Sequence, residues 1–204
     1  MTKEELIAFE KEIADIYCAG KIKAPIHLSD GNEDQLIEIF KKIKPDAWIF
    51  SAWRSHYHAL LHGVPREKVK MEILKGNSIT LCFPEHKFFT SAIVGGIVPI
   101  AVGTALAIKR KNENQHVWCF IGDMTAETGI FYENAKYADL HKLPITFVIE
   151  DNDESVGTPT KIVWGYSNEE EKNPDYLSQN RGNIIYYHYK KKWPHVGAGN
   201  WVTF

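Results

Sequence analysis

Two polar pairs follow apolar runs, and both could bind a metal ion together with a phosphate. Gly122-Asp123 ends one run and Asp151-Asn152 ends the next. Carboxylate and carboxamide oxygens suit Mg²⁺, which also shares the oxygens of a bound diphosphate. A helix that begins just after Gly122-Asp123 would add free backbone N–H groups for the same anion. The residue types and their order therefore indicate a site for a metal-bound diphosphate.

A strand–helix–strand unit must bring the two pairs together. The apolar pattern predicts buried strands over His116–Ile121 and Pro144–Glu150, with a helix over Gly129–His141 between them. A crossover of this length makes the two strands parallel and neighbouring. Both polar pairs then lie at the carboxyl edge of the sheet, where open α/β sheets bind ligands. The alternative is an ordinary βαβ unit whose strands happen to end in acidic residues.

Composition limits the class of protein. The chain has 204 residues and a net charge of −2, which predicts one domain and argues against nucleic acid or an anionic membrane as the main partner. Its charged start lacks the apolar run of a signal peptide, so we predict a cytoplasmic location. Three widely spaced cysteines among apolar neighbours predict reduced core residues: Cys18, Cys82 and Cys119. The apolar stretch Ser91–Ile108 is interrupted by glycines and Pro99, which favours a buried helix beginning near Pro99 over a membrane span.

Several segments together carry a family resemblance. Gly122-Asp123-Met124 and Asp151-Asn152 resemble the GDG and NN signature of thiamine diphosphate enzymes. The helix FYENAKYADLHKLP resembles FHEALNLAALWKLP, and residues 150–158 resemble ENNxYxxGTS. These phrases are similar to the alpha subunit of the first, decarboxylating component of 2-oxo-acid dehydrogenase complexes. The resemblance covers about Ala24–Thr158.

The resemblance implies thiamine diphosphate and Mg²⁺ as cofactors. Asp123, the side chain of Asn152 and the backbone carbonyl of Glu154 would be the metal ligands. Gly122, Met124 and Thr125 are predicted to contact the cofactor beside them. In these two motifs, Met124 stands where glycine is usual, and Asp151 stands where asparagine is usual. Two further departures are Trp53, where tyrosine is usual, and Ala92, where glycine is usual.

Two further segments are predicted to contact the cofactor. SAWRSHYHALLHG resembles TAYRxHGxxLxxG, which implies that Trp53 and Arg54 bind its terminal phosphate. Arginine suits that role because its planar fork binds phosphate through two hydrogen bonds. The stretch SAIVGGIVPIAVGTALAI resembles GIVGAQVPLGAGIALA. By that match Ala92 offers its carbonyl to the aminopyrimidine ring, and Val94 packs under the bent cofactor.

Three histidines are candidate site residues by the same resemblance. His27, in a phrase similar to HLCDGQEA, and His56 are implied in proton transfer and contact with the substrate carboxylate. A local hydrogen-bonding role for His27 is an equal alternative. His195 is a candidate phosphate contact, with a structural tail as its alternative. His58 and His62 lie four apart on one helical face, and we interpret them as surface or helix-packing residues.

The remaining pattern predicts a three-layer α/β/α fold with a mostly parallel sheet, equivalent to the diphosphate-binding domain of thiamine diphosphate enzymes. Residues 1–204 are predicted to form that single domain, with a mobile excursion at 161–183 and a strand and tail at 184–204. The other predicted elements are helices over Thr2–Ile16 (with a Thr2–Glu5 capping box), Glu33–Ile43 and Pro65–Lys75, and strands over Asp46–Ala52, Ile79–Phe83 and Ile184–Tyr189.

The function implied by the resemblance is that of an alpha-type subunit that decarboxylates a small 2-oxo acid and transfers the acyl or aldehyde unit. The family's activating glutamate lies on a separate pyrimidine-binding domain, for which this chain has no room. We therefore expect a beta-type partner in an α₂β₂ assembly. Two alternatives remain open: a transketolase- or acyloin-type carbon–carbon ligase, and a degenerate non-catalytic subunit suggested by Met124 and Asp151.

Overall fold

A six-stranded sheet runs through the middle of the computed structural model, which describes residues 1–167, 182–200 and 202. The strands are β1 (Trp48–Ser51), β2 (Cys82–Phe83), β3 (Phe88–Thr90), β4 (Val117–Gly122), β5 (Ile145–Asp151) and β8 (Ile184–His188). Their order is β2-β3-β1-β4-β5-β8, and β2 alone among them pairs antiparallel with its neighbour. A separate two-stranded hairpin follows β5 and consists of β6 (Glu154–Ser155) and β7 (Thr158–Pro159).

Helices cover both faces of the sheet. They are α1 (Lys3–Cys18), α2 (Glu33–Phe40), α3 (His56–Leu61), α4 (Arg66–Leu74), α5 (Ile97–Arg110), α6 (Asp123–Ala126), α7 (Gly129–Leu140) and α8 (Thr160–Trp164). One core cluster joins α1–α4 to side chains such as Phe120 of β4, and the other joins α5 and α7 to alternate side chains such as Cys119. Because successive side chains of a strand point to opposite faces, each central strand contributes to both clusters. The predicted three-layer α/β/α fold is confirmed.

The predicted strand–helix–strand unit is present. β4 and β5 pair in parallel, with Gly122 opposite Glu150, and α7 forms the crossover. One detail differs: a separate four-residue helix, α6, begins at Asp123, directly after β4, and α7 begins only at Gly129. The predicted capping box of the first helix is also present, with the Thr2 hydroxyl accepting from the Glu5 N–H at 3.3 Å.

The sheet contains a strand that periodicity did not predict. β3 is only three residues long, too short to show alternation, and it lies between β1 and β2 in the sheet. The expected strand over Ile79–Phe83 is shortened to Cys82–Phe83, because a 3₁₀ turn occupies Ser78–Thr80.

The prediction that all three cysteines are core residues is wrong for two of them. Cys119 is buried, whereas Cys18 and Cys82 are exposed. Cys18 is the last residue of α1, and Cys82 occupies the outward position of β2, whose other residue, Phe83, is buried. All three thiols are free, as predicted.

The chain after the hairpin returns to the sheet. β8 forms the edge strand beside β5, one residue shorter than predicted. Most of the predicted mobile excursion, 168–181, lies outside the described residues. Beyond β8 the chain packs back on the first helices: Trp193 and Ala198 join the α1–α4 cluster, and the Gly197 N–H donates to the Ile26 carbonyl at 2.9 Å. In the described part of the chain, no helix is long and apolar enough to cross a membrane.

Candidate functional site

A cleft lies at the carboxyl edge of β1, β4 and β5, the position predicted for the ligand. It encloses about 600 Å³, open space at its mouth included. Its lining consists of Ala52, Trp53, Arg54, Val94, Gly122, Asp123, Met124, Thr125, Glu150, Asn152, Glu154, Ser155, Val156, Tyr189 and His195. The structure therefore brings together every predicted site residue except His27, His56 and Ala92.

Gly122 and Asp123 form one wall of the cleft. The Asp123 carboxylate is buried, and its Oδ2 accepts a hydrogen bond from the Thr160 hydroxyl at the start of α8. Gly122 has φ −81° and ψ 164°, which any residue can adopt, and a Cβ added there would meet no atom within 4 Å. Neither conformation nor packing requires glycine at this position. What the glycine does provide is open space where the backbone meets the cleft.

Asn152 lies opposite, with its carboxamide held in one orientation. The Glu154 backbone N–H donates to Asn152 Oδ1 at 3.1 Å, and Nδ2 donates to the Tyr189 hydroxyl at 3.2 Å. A carbonyl oxygen has two lone pairs, so Oδ1 can still bind a cation. The Glu154 carboxylate is paired with Lys191, which leaves the backbone as the part of Glu154 that can serve a ligand.

Asp151, which stands where asparagine is usual in the family, lies outside the cleft. Its carboxylate is 1% exposed, accepts from the Asp153 N–H at 2.9 Å and from the Tyr186 hydroxyl, and does not line the cavity. Met124, the departure in the other motif, is partly buried and does line it. Of these two residues, Met124 alone lines the cleft.

Arg54 gives the cleft a positive wall. Its guanidinium donates to the backbone carbonyls of Leu28 and His195, and it makes no ion pair with a carboxylate in the described part of the chain. The backbone bonds fix the side chain without neutralising it. Trp53, its neighbour, contacts the rings of His27 and His195 edge-on, with centroid distances of 6.0 and 6.3 Å. A fixed, uncompensated guanidinium is suited to an anionic ligand.

His27 and His195 form a pair just behind this wall. Their Nε2 atoms are 3.3 Å apart, although His27 itself does not line the cleft. Burial, reinforced by the Arg54 charge, lowers the pKa of His27 to about 3 and also lowers the pKa of His195. Both rings are therefore neutral near pH 7, and one Nε2–H donates to the other ring. The Nδ1 of His27 is buried without a hydrogen-bond partner among the described residues.

The structure places two predicted site residues outside the cleft. His56 is fully buried, with Nδ1 2.9 Å from the Glu10 carboxylate and Nε2 2.9 Å from the Ser78 hydroxyl. Both of its nitrogens are engaged in the α1–α3 layer, so it does not contact a substrate in the cleft. Ala92 is exposed in the bend before α5 and does not line the cleft, whereas Val94, two residues on, does.

Glu150 is a cleft residue that the sequence reasoning missed. Its Oε1 accepts from Asn32 Nδ2 at 3.1 Å and from the Tyr187 hydroxyl, and lies 3.2 Å from His58 Nε2. His58 is buried, with Nδ1 2.7 Å from the Ser51 hydroxyl, so it is not a surface residue. One signal was available: Glu150 precedes Asn152 by two residues, a spacing that places both side chains on the same side of a chain that stays extended past the end of β5.

Comparison with known proteins assigns the family. The model of the Dehydrogenase E1 component family matches residues 1–172. The chain belongs to this family. Relatives of this chain include the pyruvate dehydrogenase E1 component alpha subunits of Porphyra purpurea and Zymomonas mobilis. The first is 31% identical over 73% of this chain and 48% of its own length, and the second is 33% identical over 74% and 46%.

The pyruvate dehydrogenase E1 component subunit alpha of Rickettsia typhi is 35% identical to this chain, over 74% of this chain and 49% of its own length. The chain thus spans about half the length of the curated relatives it matches. It also matches an X-ray structure from Mycobacterium smegmatis, described as that of a thiamin diphosphate-dependent enzyme. That match covers 76% of this chain and 30% of the other, with a TM-score of 0.46 and 20% identity.

Proposed function

We propose that this chain is the alpha-type subunit of a thiamine diphosphate- and Mg²⁺-dependent enzyme. The enzyme decarboxylates a small 2-oxo acid and transfers the resulting acyl or aldehyde unit. One observation carries the proposal: a carboxylate, a carboxamide and an uncompensated guanidinium meet in one cleft, on Asp123, Asn152 and Arg54. The similarity to pyruvate dehydrogenase alpha subunits supports it.

The residues of the cleft fit a metal-bound diphosphate. Asp123, Asn152 and the Glu154 backbone offer the hard oxygen ligands that Mg²⁺ prefers. Arg54 offers a fixed positive charge to the terminal phosphate, and the missing side chain at Gly122 leaves the backbone accessible. When bound, thiamine diphosphate supplies nucleophilic attack on the 2-oxo group and an electron sink for the loss of carbon dioxide.

The protein's own residues then bind, orient and hold protons. Arg54 orients the anionic end of the ligand, and Val94 supports its apolar part at the mouth of the cleft. His195 lines the cleft, and its Nε2 is 3.3 Å from Nε2 of His27, within hydrogen-bonding distance. Because His27 does not line the cleft, it acts on a bound substrate only by holding the His195 ring in position.

A beta-type partner in an α₂β₂ assembly completes the proposal. Large apolar side chains are exposed beside the cleft: Ile93 is 73% exposed, and Val94 and Val156, which line the cleft, are 43% and 63% exposed. Exposed apolar groups around a ligand site are typical of a surface that a second polypeptide covers. A cytoplasmic location is also part of the proposal, although an Arabidopsis thaliana relative is chloroplastic.

We expect decarboxylation only when a beta-type subunit is present, because the activating glutamate is proposed to lie on that partner. The test is turnover of pyruvate or a branched 2-oxo acid with an artificial electron acceptor, by this chain alone and after reconstitution. Replacing the electron acceptor with an aldehyde separates a dehydrogenase from a carbon–carbon ligase. Robust turnover by the 204-residue chain alone would contradict the two-subunit proposal.

Met124→Gly distinguishes an active subunit from a degenerate one. If the diphosphate contacts the backbone N–H at this position, removing the side chain should maintain or strengthen cofactor binding. Since Met124 is only partly buried, the loss of stability should stay below about 1.5 kcal/mol. Titration calorimetry with thiamine diphosphate and thermal unfolding measure the two effects. Abolished binding in Met124→Gly would show that the methionine side chain has a specific role.

A further inference from the structure

Tyr189 is a buried cleft residue to which neither sequence motif nor resemblance assigned a role. It follows β8 directly, its N–H donates to the Asp151 carbonyl at 2.8 Å, and it is 5% exposed. The turn at Gly31 fixes the backbone beside it. Gly31 has φ +93°, and a Cβ there would lie 2.2 Å from the Lys190 carbonyl oxygen. Only glycine permits this approach, so the position of Tyr189 is tightly defined.

The hydroxyl of Tyr189 accepts a hydrogen bond but donates none to the described residues. The partner is Asn152 Nδ2, at 3.2 Å. A flipped Asn152 carboxamide would place its NH₂ group against the Glu154 backbone N–H, which is a donor and needs Oδ1. The assignment is therefore fixed: Asn152 donates, Tyr189 accepts, and the phenolic proton remains available.

The neighbouring tyrosines differ in this respect. The Tyr186 hydroxyl donates to Asp151 and the Tyr187 hydroxyl donates to Glu150. Tyr189 alone among the three lines the cleft. A tyrosine hydroxyl carries its proton near neutral pH and can therefore donate a hydrogen bond. A buried polar group without a partner for its proton is costly, and a ligand acceptor would remove that cost.

We infer that Tyr189 is a ligand-binding residue whose hydroxyl donates a hydrogen bond to an anionic oxygen bound in the cleft beside Arg54. Phosphoryl and carboxylate oxygens share this chemistry, so the acceptor is an oxygen of the diphosphate or the carboxylate of the 2-oxo acid. The identity of the ligand rests on the proposed function. The hydrogen bond donated by Tyr189 rests only on the geometry of Tyr189, Asn152 and Arg54.

Tyr189→Phe tests the inference because it removes one hydroxyl and little volume. Affinity for pyrophosphate, with and without Mg²⁺, and for thiamine diphosphate is measured by calorimetry on the full chain with its partner. The KM for pyruvate is measured on the same samples. We expect about a tenfold loss in one group of measurements, the magnitude of one charge-assisted hydrogen bond. Tyr186→Phe is the control, with affinities within about twofold of the wild type, because its partner Asp151 lies outside the cleft.

The pattern of losses identifies the acceptor. Weaker pyrophosphate binding both with and without Mg²⁺ assigns it to the diphosphate, and a raised KM with unchanged pyrophosphate affinity assigns it to the substrate carboxylate. Weakening that occurs only with Mg²⁺ would show that Tyr189 merely positions Asn152 and would overturn the donated bond, as would no change in any measurement. If the wild-type protein binds pyrophosphate but not thiamine diphosphate, the proposed function is wrong and the inference about Tyr189 still stands. If it binds neither ligand, both the proposed function and the inference about Tyr189 are wrong.

Discussion

Asp123→Ala should weaken thiamine diphosphate binding by more than about tenfold, or about 1.4 kcal/mol. Asp123 is the charged side chain proposed to bind Mg²⁺, and without it the metal and the diphosphate charge it neutralises are both poorly held. The other two carboxylates of the cleft are already committed. Glu154 is paired with Lys191, and Glu150 accepts from Asn32 and Tyr187. Neither can replace Asp123 without losing those partners.

The measurement is titration calorimetry of the reconstituted complex at several Mg²⁺ concentrations. Thr160→Val is the matched control, because it removes the hydrogen bond to Asp123 Oδ2 but leaves the carboxylate and its charge. The control should retain most of the affinity and all of the Mg²⁺ dependence. Unchanged affinity in Asp123→Ala would exclude this carboxylate as a metal ligand.

His56→Ala should lower the free energy of unfolding by about 3 kcal/mol, the combined cost of removing a buried hydrogen-bonding partner and of opening a cavity. The Glu10 carboxylate, which is 1% exposed, would keep its hydrogen bond from the Ser29 N–H at 2.8 Å but lose the one to the imidazole. The Ser78 hydroxyl would also lose its partner, and a cavity would remain in the α1–α3 layer. Once folded, the variant should bind thiamine diphosphate normally.

Urea unfolding near neutral pH measures the first effect, and cofactor titration of the folded variant at low temperature measures the second. His62→Ala is the control, because its ring is only partly buried and its Nε2 bonds the His86 backbone carbonyl at 3.0 Å. Its cost should be about 1 kcal/mol. A His56→Ala protein that unfolds like the wild type but fails in catalysis would restore the catalytic role predicted from the resemblance.

The sequence alone was enough for the unit that carries the proposed metal site. Apolar runs of strand length, separated by one helix, allow only a parallel neighbouring pair, so Asp123 and Asn152 had to meet at one sheet edge. The same local reasoning predicted the capped start of α1 and the helices that cover both faces of the sheet. It found Arg54 and Trp53 through a resemblance, because they belong to one short phrase.

Only the tertiary structure decided which of the remaining side chains face the cleft. His27 and His195 are 168 residues apart, and no rule of crossover length relates their segments. Tyr189 comes directly after β8, which follows a long polar segment whose path periodicity cannot predict. His56 lies two residues after Arg54, yet it turns inward because Glu10 of α1 is packed against it. Periodicity describes one element at a time, whereas these positions depend on how separate elements pack, which is why the sequence alone could not determine them.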